Sequence, residues 1–160
     1  MNSPSSVPAQ PSLLLPHPMR LALDLARTAA EGGEVPVGAV ITRDDTVIAS
    51  AANRMRAGKD PTAHAEIEVI RAAATALGSE RLSECDLWVT LEPCAMCAGA
   101  IAHARIRRLY FAAPDPKGGA VDHGPQFFTQ PTCHHKPEIY AGLGEAESSE
   151  MLKAFFADRR

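Results

Sequence analysis

Apolar residues along this chain follow two periodicities, one near 3.6 and one near 2, which alternate from about residue 18 onward. Met19, Leu21, Ala22, Leu25, Ala26 and Ala29 recur at helical spacing and stop at Gly32-Gly33, predicting a first helix that opens at Pro18. Glu34-Val35-Pro36-Val37-Gly38-Ala39-Val40-Ile41-Thr42 and Thr46-Val47-Ile48-Ala49-Ser50 are apolar, β-branched runs flanking the turn Arg43-Asp44-Asp45, which predicts a hairpin. Pro36 is expected at the first strand's start or on a sheet edge, where its missing N–H matters least. A locally basic loop with Arg54, Arg56 and Lys59 leads through Asp60-Pro61-Thr62-Ala63 into a second helix over 64–77, ended by Gly78. Asp86-Leu87-Trp88-Val89-Thr90-Leu91 reads as a buried strand, and Pro93 suits the first positions of a third helix running from about Cys94 to Ala104. Arg107-Arg108-Leu109-Tyr110-Phe111-Ala112-Ala113 predicts a fourth strand and Glu138-Ile139-Tyr140 a short fifth. Ala146, Met151, Leu152, Phe155 and Phe156 predict a C-terminal helix from Glu145. A hairpin followed by helix-strand-helix-strand implies a mixed sheet with helices on both faces.

Composition narrows this picture only a little. A chain of 160 residues with 46% hydrophobic and 22% charged residues suits one domain, read here as residues 18–160 behind a Pro- and Ser-rich flexible tail, 1–17, whose Leu13 to Leu15 could pack on the body. A net charge of -3 neither supports nor excludes an RNA partner, because any anionic ligand would need only a local basic patch. Four cysteines without a disulfide pattern suggest a reducing cytoplasm, and neither a signal core nor an apolar run of membrane length is expected.

The chemistry concentrates in His64-Ala65-Glu66 and Pro93-Cys94-Ala95-Met96-Cys97. One imidazole and two thiols are three soft zinc ligands, one short of a closed structural site, which leaves the fourth position for water as in catalytic zinc. Cys94 and Cys97, three apart, are separated by about 300° around a helix and face the same ion. His64 and Glu66, two apart and about 200° around the axis, share a site only if it lies ahead of the helix's N-terminal end. Glu66 is then not a ligand but a proton carrier: it takes the water's proton, passes it to a ring nitrogen and later protonates departing ammonia. Hydrolytic deamination is the reaction class that follows.

These motifs form the H-x-E…P-C-x-x-C signature of zinc deaminases. With Glu34-Val35-Pro36-Val37-Gly38-Ala39-Val40, Asn53, Asp60-Pro61-Thr62-Ala63, the stretch from Val89 to Ala100, and Asp115-Pro116-Lys117-Gly118-Gly119-Ala120, the chain resembles bacterial tRNA-specific adenosine deaminases across most of residues 18–160. The resemblance implies a three-layer α/β/α cytidine deaminase-like fold with a mixed five-stranded sheet, a homodimer, one zinc per subunit, and conversion of the wobble adenosine of a tRNA anticodon stem-loop to inosine. It also implies that Asn53 hydrogen-bonds the flipped base, that the backbone N–H of Ala65 orients it, that Val37 lines the pocket, and that Asp115 and Lys117 lie in a loop meeting the anticodon. Around His134-His135-Lys136 the chain departs from the family, whose better-known members carry an Asn-His-Arg-like triplet there.

Plainer readings stand beside these. Cys85 could complete a closed structural cluster, Arg105, Arg107 and Arg108 are either a phosphate patch or a solvated edge, and Cys133-His134-His135 is either a second metal site or a set of surface or RNA-contact groups. Of Phe155 and Phe156, one is expected in the core and one at an interface or rim. With aromatics at only 5%, no stacking platform is expected. The alternative functions are a guanine or cytosine deaminase of the same superfamily and an inert zinc-binding module that recognises RNA.

Overall fold

The computed structural model describes residues 15–159. Its elements run α1 (His17–Glu31), β1 (Gly38–Arg43), β2 (Thr46–Ala52), α2 (Ala65–Leu77), β3 (Asp86–Leu91), α3 (Ala95–Ala104), β4 (Arg108–Ala113), β5 (Glu138–Ala141) and α4 (Glu145–Ala157). Most of the expected N-terminal tail lies outside the described residues. Its last part, however, belongs to the body: Leu15 packs on the core and α1 begins at His17.

The five strands lie in the order β2-β1-β3-β4-β5, with β1 antiparallel to both neighbours and β3, β4 and β5 mutually parallel. Alternation along β1 assigns the two faces. Ala39 and Ile41 join the larger core under α2 and α3, whereas Val40 joins Met19, Ala22, Leu23 and Ala112 under α1 and α4. The result is the three-layer α/β/α arrangement. Gly38 is required where α1 crosses β1, because a Cβ there would collide with the Ala22 carbonyl.

Two boundaries differ from the sequence reading, for local reasons. The apolar run before Gly38 is not strand: Val37 N–H donates to the Val35 carbonyl at 2.8 Å, a tight turn centred on Pro36. As β1 sits inside the sheet, a proline within it would delete a ladder bond, so Pro36 lies ahead of the strand rather than at its start or edge. Similarly, Pro93 lies outside α3, since Cys94 holds the cap position. The hairpin turn is Asp44-Asp45, both with positive φ (49° and 64°), as a two-residue turn matching strand twist demands.

Register places the functional end of the sheet. Gly38 pairs with Ala52, Ala39 with Val89, and Leu91 with Ala113, so the start of β1 and the ends of β2, β3 and β4 meet at one edge. The loops leaving those ends carry Asn53, His64, Cys94 and Asp115. In open α/β sheets this carboxyl edge is where ligands bind.

Candidate metal centre and active-site cavity

Helices α2 and α3 open in the same unusual way. His64 and Cys94 occupy the cap positions in extended conformation, and their carbonyls accept the first helical bonds from Glu68 N–H (3.0 Å) and Ala98 N–H (2.8 Å). Caps are normally Ser, Thr, Asp or Asn, whose side chains bond back to the helix. Neither His64 nor Cys94 makes such a bond, so both side chains are left to point ahead of their helices. An Asp60 turn, accepting Thr62 N–H at 2.8 Å and its hydroxyl at 2.7 Å, sets the approach to His64.

His64 Nδ1 lies 3.7 Å from Cys94 Sγ and 3.5 Å from Cys97 Sγ, and all three donor atoms fall within 4.8 Å of one another. Zinc bonds of about 2.3 Å to sulfur and 2.0 Å to nitrogen at tetrahedral angles give N···S edges of about 3.5 Å, which the two N···S separations match. Among the described residues this is the one His/Cys/Asp/Glu group compact enough to hold an ion, and Cys85, buried in the core, is not part of it.

Electrostatics in the site point the same way. A hydrogen bond with Cys97, opposed by burial and reinforced by His64, brings Cys94 down to about 4. Cys97 is pushed up by that same neighbour, by burial and by Glu66. Two thiols thus share one negative charge, with His64 raised toward its charged form chiefly by the Cys94 hydrogen bond. A divalent cation favours the thiolate form of both sulfurs and the neutral form of the imidazole.

Glu66 occupies the first turn of α2, 4% exposed and outside the donor trio, so the geometric condition for His64 and Glu66 to share a site ahead of the helix is met. Burial pushes its carboxyl up to about 6, its own backbone N–H opposing and the Cys94 charge adding. It lines a cavity of about 260 Å³ with Val37, Asn53, His64, Cys94 and Asp115. Larger grooves exist, such as one of about 480 Å³ between α1 and α4, but that one is lined by ion-paired Arg27 and Glu147 and holds, among the described residues, no compact group of metal donors.

The other expected contacts are placed unevenly. Val37 and Asn53 line the cavity, and Asp115 stands at its mouth with a carboxylate turned onto Lys117 N–H (3.2 Å) and Gly118 N–H (2.9 Å). Lys117 is exposed and outside the lining. Ala65 N–H is donated to Asn53 Oδ1 at 2.7 Å, while Asn53 Nδ2 donates to the Val35 carbonyl at 3.2 Å. The two groups expected to hold a base are therefore paired with each other, and Asn53 Nδ2 keeps one hydrogen for a ligand.

Arg107 grips Asp86 through two bonds of 3.0 Å and Arg108 meets Glu138 at 3.0 Å, so both guanidinium groups are paired within the chain. Cys133 Sγ donates to the nearby His135 carbonyl at 3.2 Å, and His135 Nε2 lies 2.7 Å from the Ile106 carbonyl, 29 residues away, so neither belongs to a metal group among the described residues. Phe155 is buried and Phe156 half exposed. Sequence reasoning missed Met55 and Leu91 in the cavity wall, and it missed two buried glutamates, Glu34 and Glu92, that accept bonds from flanking loops. It also missed the stack of Trp88, Tyr110 and Tyr140 across three strands, with centroids 3.8 and 5.0 Å apart. The low aromatic count concealed it.

Three soft donors at the mouths of two helices, beside a carboxylate that is not one of them, define a hydrolytic zinc deaminase. Residues 16–113 match the family model for the cytidine and deoxycytidylate deaminase zinc-binding region. A tRNA-specific adenosine deaminase of Agrobacterium fabrum is 61% identical over 144 residues, covering 90% of this chain and 95% of that relative. A chain solved in studies of A-to-I editing by tRNA:A34 deaminases superposes with a TM-score of 0.84 at 62% identity, covering 85% of this chain and 99% of that one. Guanine deaminase from Bacillus subtilis is more distant, with a TM-score of 0.61 at 32% identity over 91% of this chain and 94% of its own. The chain belongs to the tRNA-specific adenosine deaminases of that zinc-binding family.

Proposed function

We propose that this chain hydrolyses the wobble adenosine of a tRNA anticodon to inosine, releasing ammonia. The observation that carries the chemistry is the compact His64, Cys94 and Cys97 trio with Glu66 buried in the same small cavity. The substrate rests on the 61% identity to a tRNA-specific adenosine deaminase, which exceeds the 32% to a guanine deaminase.

His64, Cys94 and Cys97 would hold one zinc per subunit, which would supply Lewis-acid activation of water near neutral pH. Glu66, its carboxyl pKa raised by burial, accepts one proton from the attacking water and delivers it to the ring nitrogen beside the reacting carbon; it then takes the second proton from the hydroxyl now on that carbon and passes it to the amine, which leaves as ammonia while the C–N bond breaks. The adenine must leave the anticodon stack to enter so small a cavity. Val37 packs on the base, the remaining Asn53 Nδ2 hydrogen meets it, and the Ala65 N–H acts through Asn53 by holding that amide in place. Asp115 and Lys117 face the flanking nucleotides. The reading carries with it a cytoplasmic homodimer, supported by four free thiols and by Met96, 38% exposed on the first turn of α3.

The test is incubation of zinc-loaded protein with an anticodon stem-loop bearing adenosine at the wobble position, with free guanine, cytosine and adenosine in parallel. Inosine is expected in the stem-loop alone, and none in a Glu66→Ala control. Ammonia released from a free base, with no inosine in the RNA, would assign the chain to small-molecule deamination.

A further inference from the structure

Glu92 lies two residues before Cys94, and its side chain is wholly buried. One carboxylate there gathers an unusual number of donors. Oε1 accepts Asp115 N–H at 3.0 Å and lies 2.7 Å from His123 Nδ1, while Oε2 accepts the successive N–H groups of Val121 (3.1 Å), Asp122 (3.0 Å) and His123 (3.1 Å). Successive backbone amides converging on one oxygen form the concave anion site that loops otherwise offer to phosphate. Here the chain fills it itself.

The loop is wound tightly around that carboxylate. Ala120 N–H donates to the Pro93 carbonyl at 2.9 Å, and a Cβ on Gly119 would collide with both the Glu92 carboxylate and the Asp115 carbonyl. Residues 115–123 hold no helix or strand of their own, yet they bring Asp115 and Gly118 to the cavity wall. Their position is therefore referenced, through Glu92 and Pro93, to the segment that ends in Cys94. Glutamine cannot substitute: its amide offers one acceptor oxygen and turns an NH2 group on the N–H donors.

We propose that Glu92 is a positioning residue for deamination, holding the substrate-facing loop 115–123 against the metal-binding segment so that RNA meets a preformed wall. This deepens the reading of the cavity as an adenosine site and rests on it. With its side chain shielded from solvent, Glu92 acts through the loop and touches no reacting atom. A loop already in place removes an ordering cost from binding, so its loss raises KM more than it lowers kcat.

The experiment compares zinc-loaded wild type, Glu92→Gln and Gly119→Ala. Amide hydrogen exchange without RNA is followed at Asp115, Val121, Asp122 and His123, together with zinc content and steady-state kinetics on the stem-loop. In both variants these amides are expected to exchange about 100-fold faster or more, zinc content to stay at the wild-type level, KM to rise about tenfold or more, and kcat to change less than about threefold. Gly119→Ala leaves the carboxylate intact and displaces the loop, so it decides the matter even where Glu92→Gln does not fold. Unchanged exchange at the four amides, zinc loss in Gly119→Ala, or a fall in kcat at constant KM would overturn the proposal. Absence of inosine in the wild type would overturn the substrate reading instead, and the exchange result would still report on the loop.

Discussion

Glu66, on the first turn of α2, and Glu92, just ahead of α3, are 4% and 2% exposed, line the same cavity, and have opposite surroundings. Burial acts on Glu92 too, but the Asp115 N–H, His123 and the amides of Val121 and Asp122 more than offset it and hold the carboxyl below its ordinary range. Glu66 has its own backbone N–H and the Cys97 thiol near it, beside a charged Cys94, and burial wins, raising it to about 6. A carboxylate surrounded by fixed donors stays charged and holds structure. One with few donors can exchange its proton near neutral pH, which is what a proton carrier requires.

The largest effect expected lies in the donors that Glu66 serves. Cys97→Ala is expected to lose bound zinc, read by atomic emission after gel filtration, and with it all measurable inosine formation; retained zinc would show that the ion is not held by this trio. Next comes a difference of sign between the two glutamates in metal-free protein at pH 7. Glu92→Gln is expected to destabilise by about 1–3 kcal/mol, since it leaves buried N–H groups unpaired. Glu66→Gln is expected to stabilise by on the order of 1–2 kcal/mol. The sign follows from a folded carboxyl pKa of about 6 against an ordinary value of 4.5: the buried charge costs nothing below 4.5, and its full cost is present above 6. The gain from Glu66→Gln should therefore appear between those pH values in urea titrations, and a gain independent of pH would mean that burial of charge is not its cause. The smallest effect is Glu34→Gln. Glu34, 6% exposed, accepts Arg56 N–H at 2.8 Å and Ala57 N–H at 3.3 Å and so ties down the loop on the Asn53 side. Losing one of two acceptors should cost about 1 kcal/mol in thermal or urea unfolding, less than Glu92→Gln; an equal cost would make the number of donors irrelevant.

The same contrast explains what was legible in the sequence. His64, Glu66, Cys94 and Cys97 could be read because their chemistry is carried by residue type and by spacings of two and three at helix starts. Glu34 and Glu92 could not, because what makes them structural is backbone N–H groups 22 and 29 residues away, and backbone donors leave no mark in residue identity. The helices and the hairpin followed from periodicity and from Gly32, Gly78 and Asp44-Asp45. The run before Gly38 misled, since Val35 and Val37 are β-branched like strand residues yet serve the cavity wall. Within α1, Leu23 is fully buried although it falls outside the expected stripe, because α4 closes over that side of the helix as well as the sheet. The Trp88, Tyr110 and Tyr140 stack depends on parallel register, which exists only once β3, β4 and β5 are side by side.

The central claim is that Glu66 moves protons and does not hold the metal. Single-turnover deamination of the wobble stem-loop by zinc-loaded Glu66→Gln, with zinc measured on the same sample, tests it most directly. The expected result is zinc at the wild-type level and a rate lower by about 10²–10⁴-fold. A rate within tenfold of wild type, or zinc lost together with activity, would contradict it.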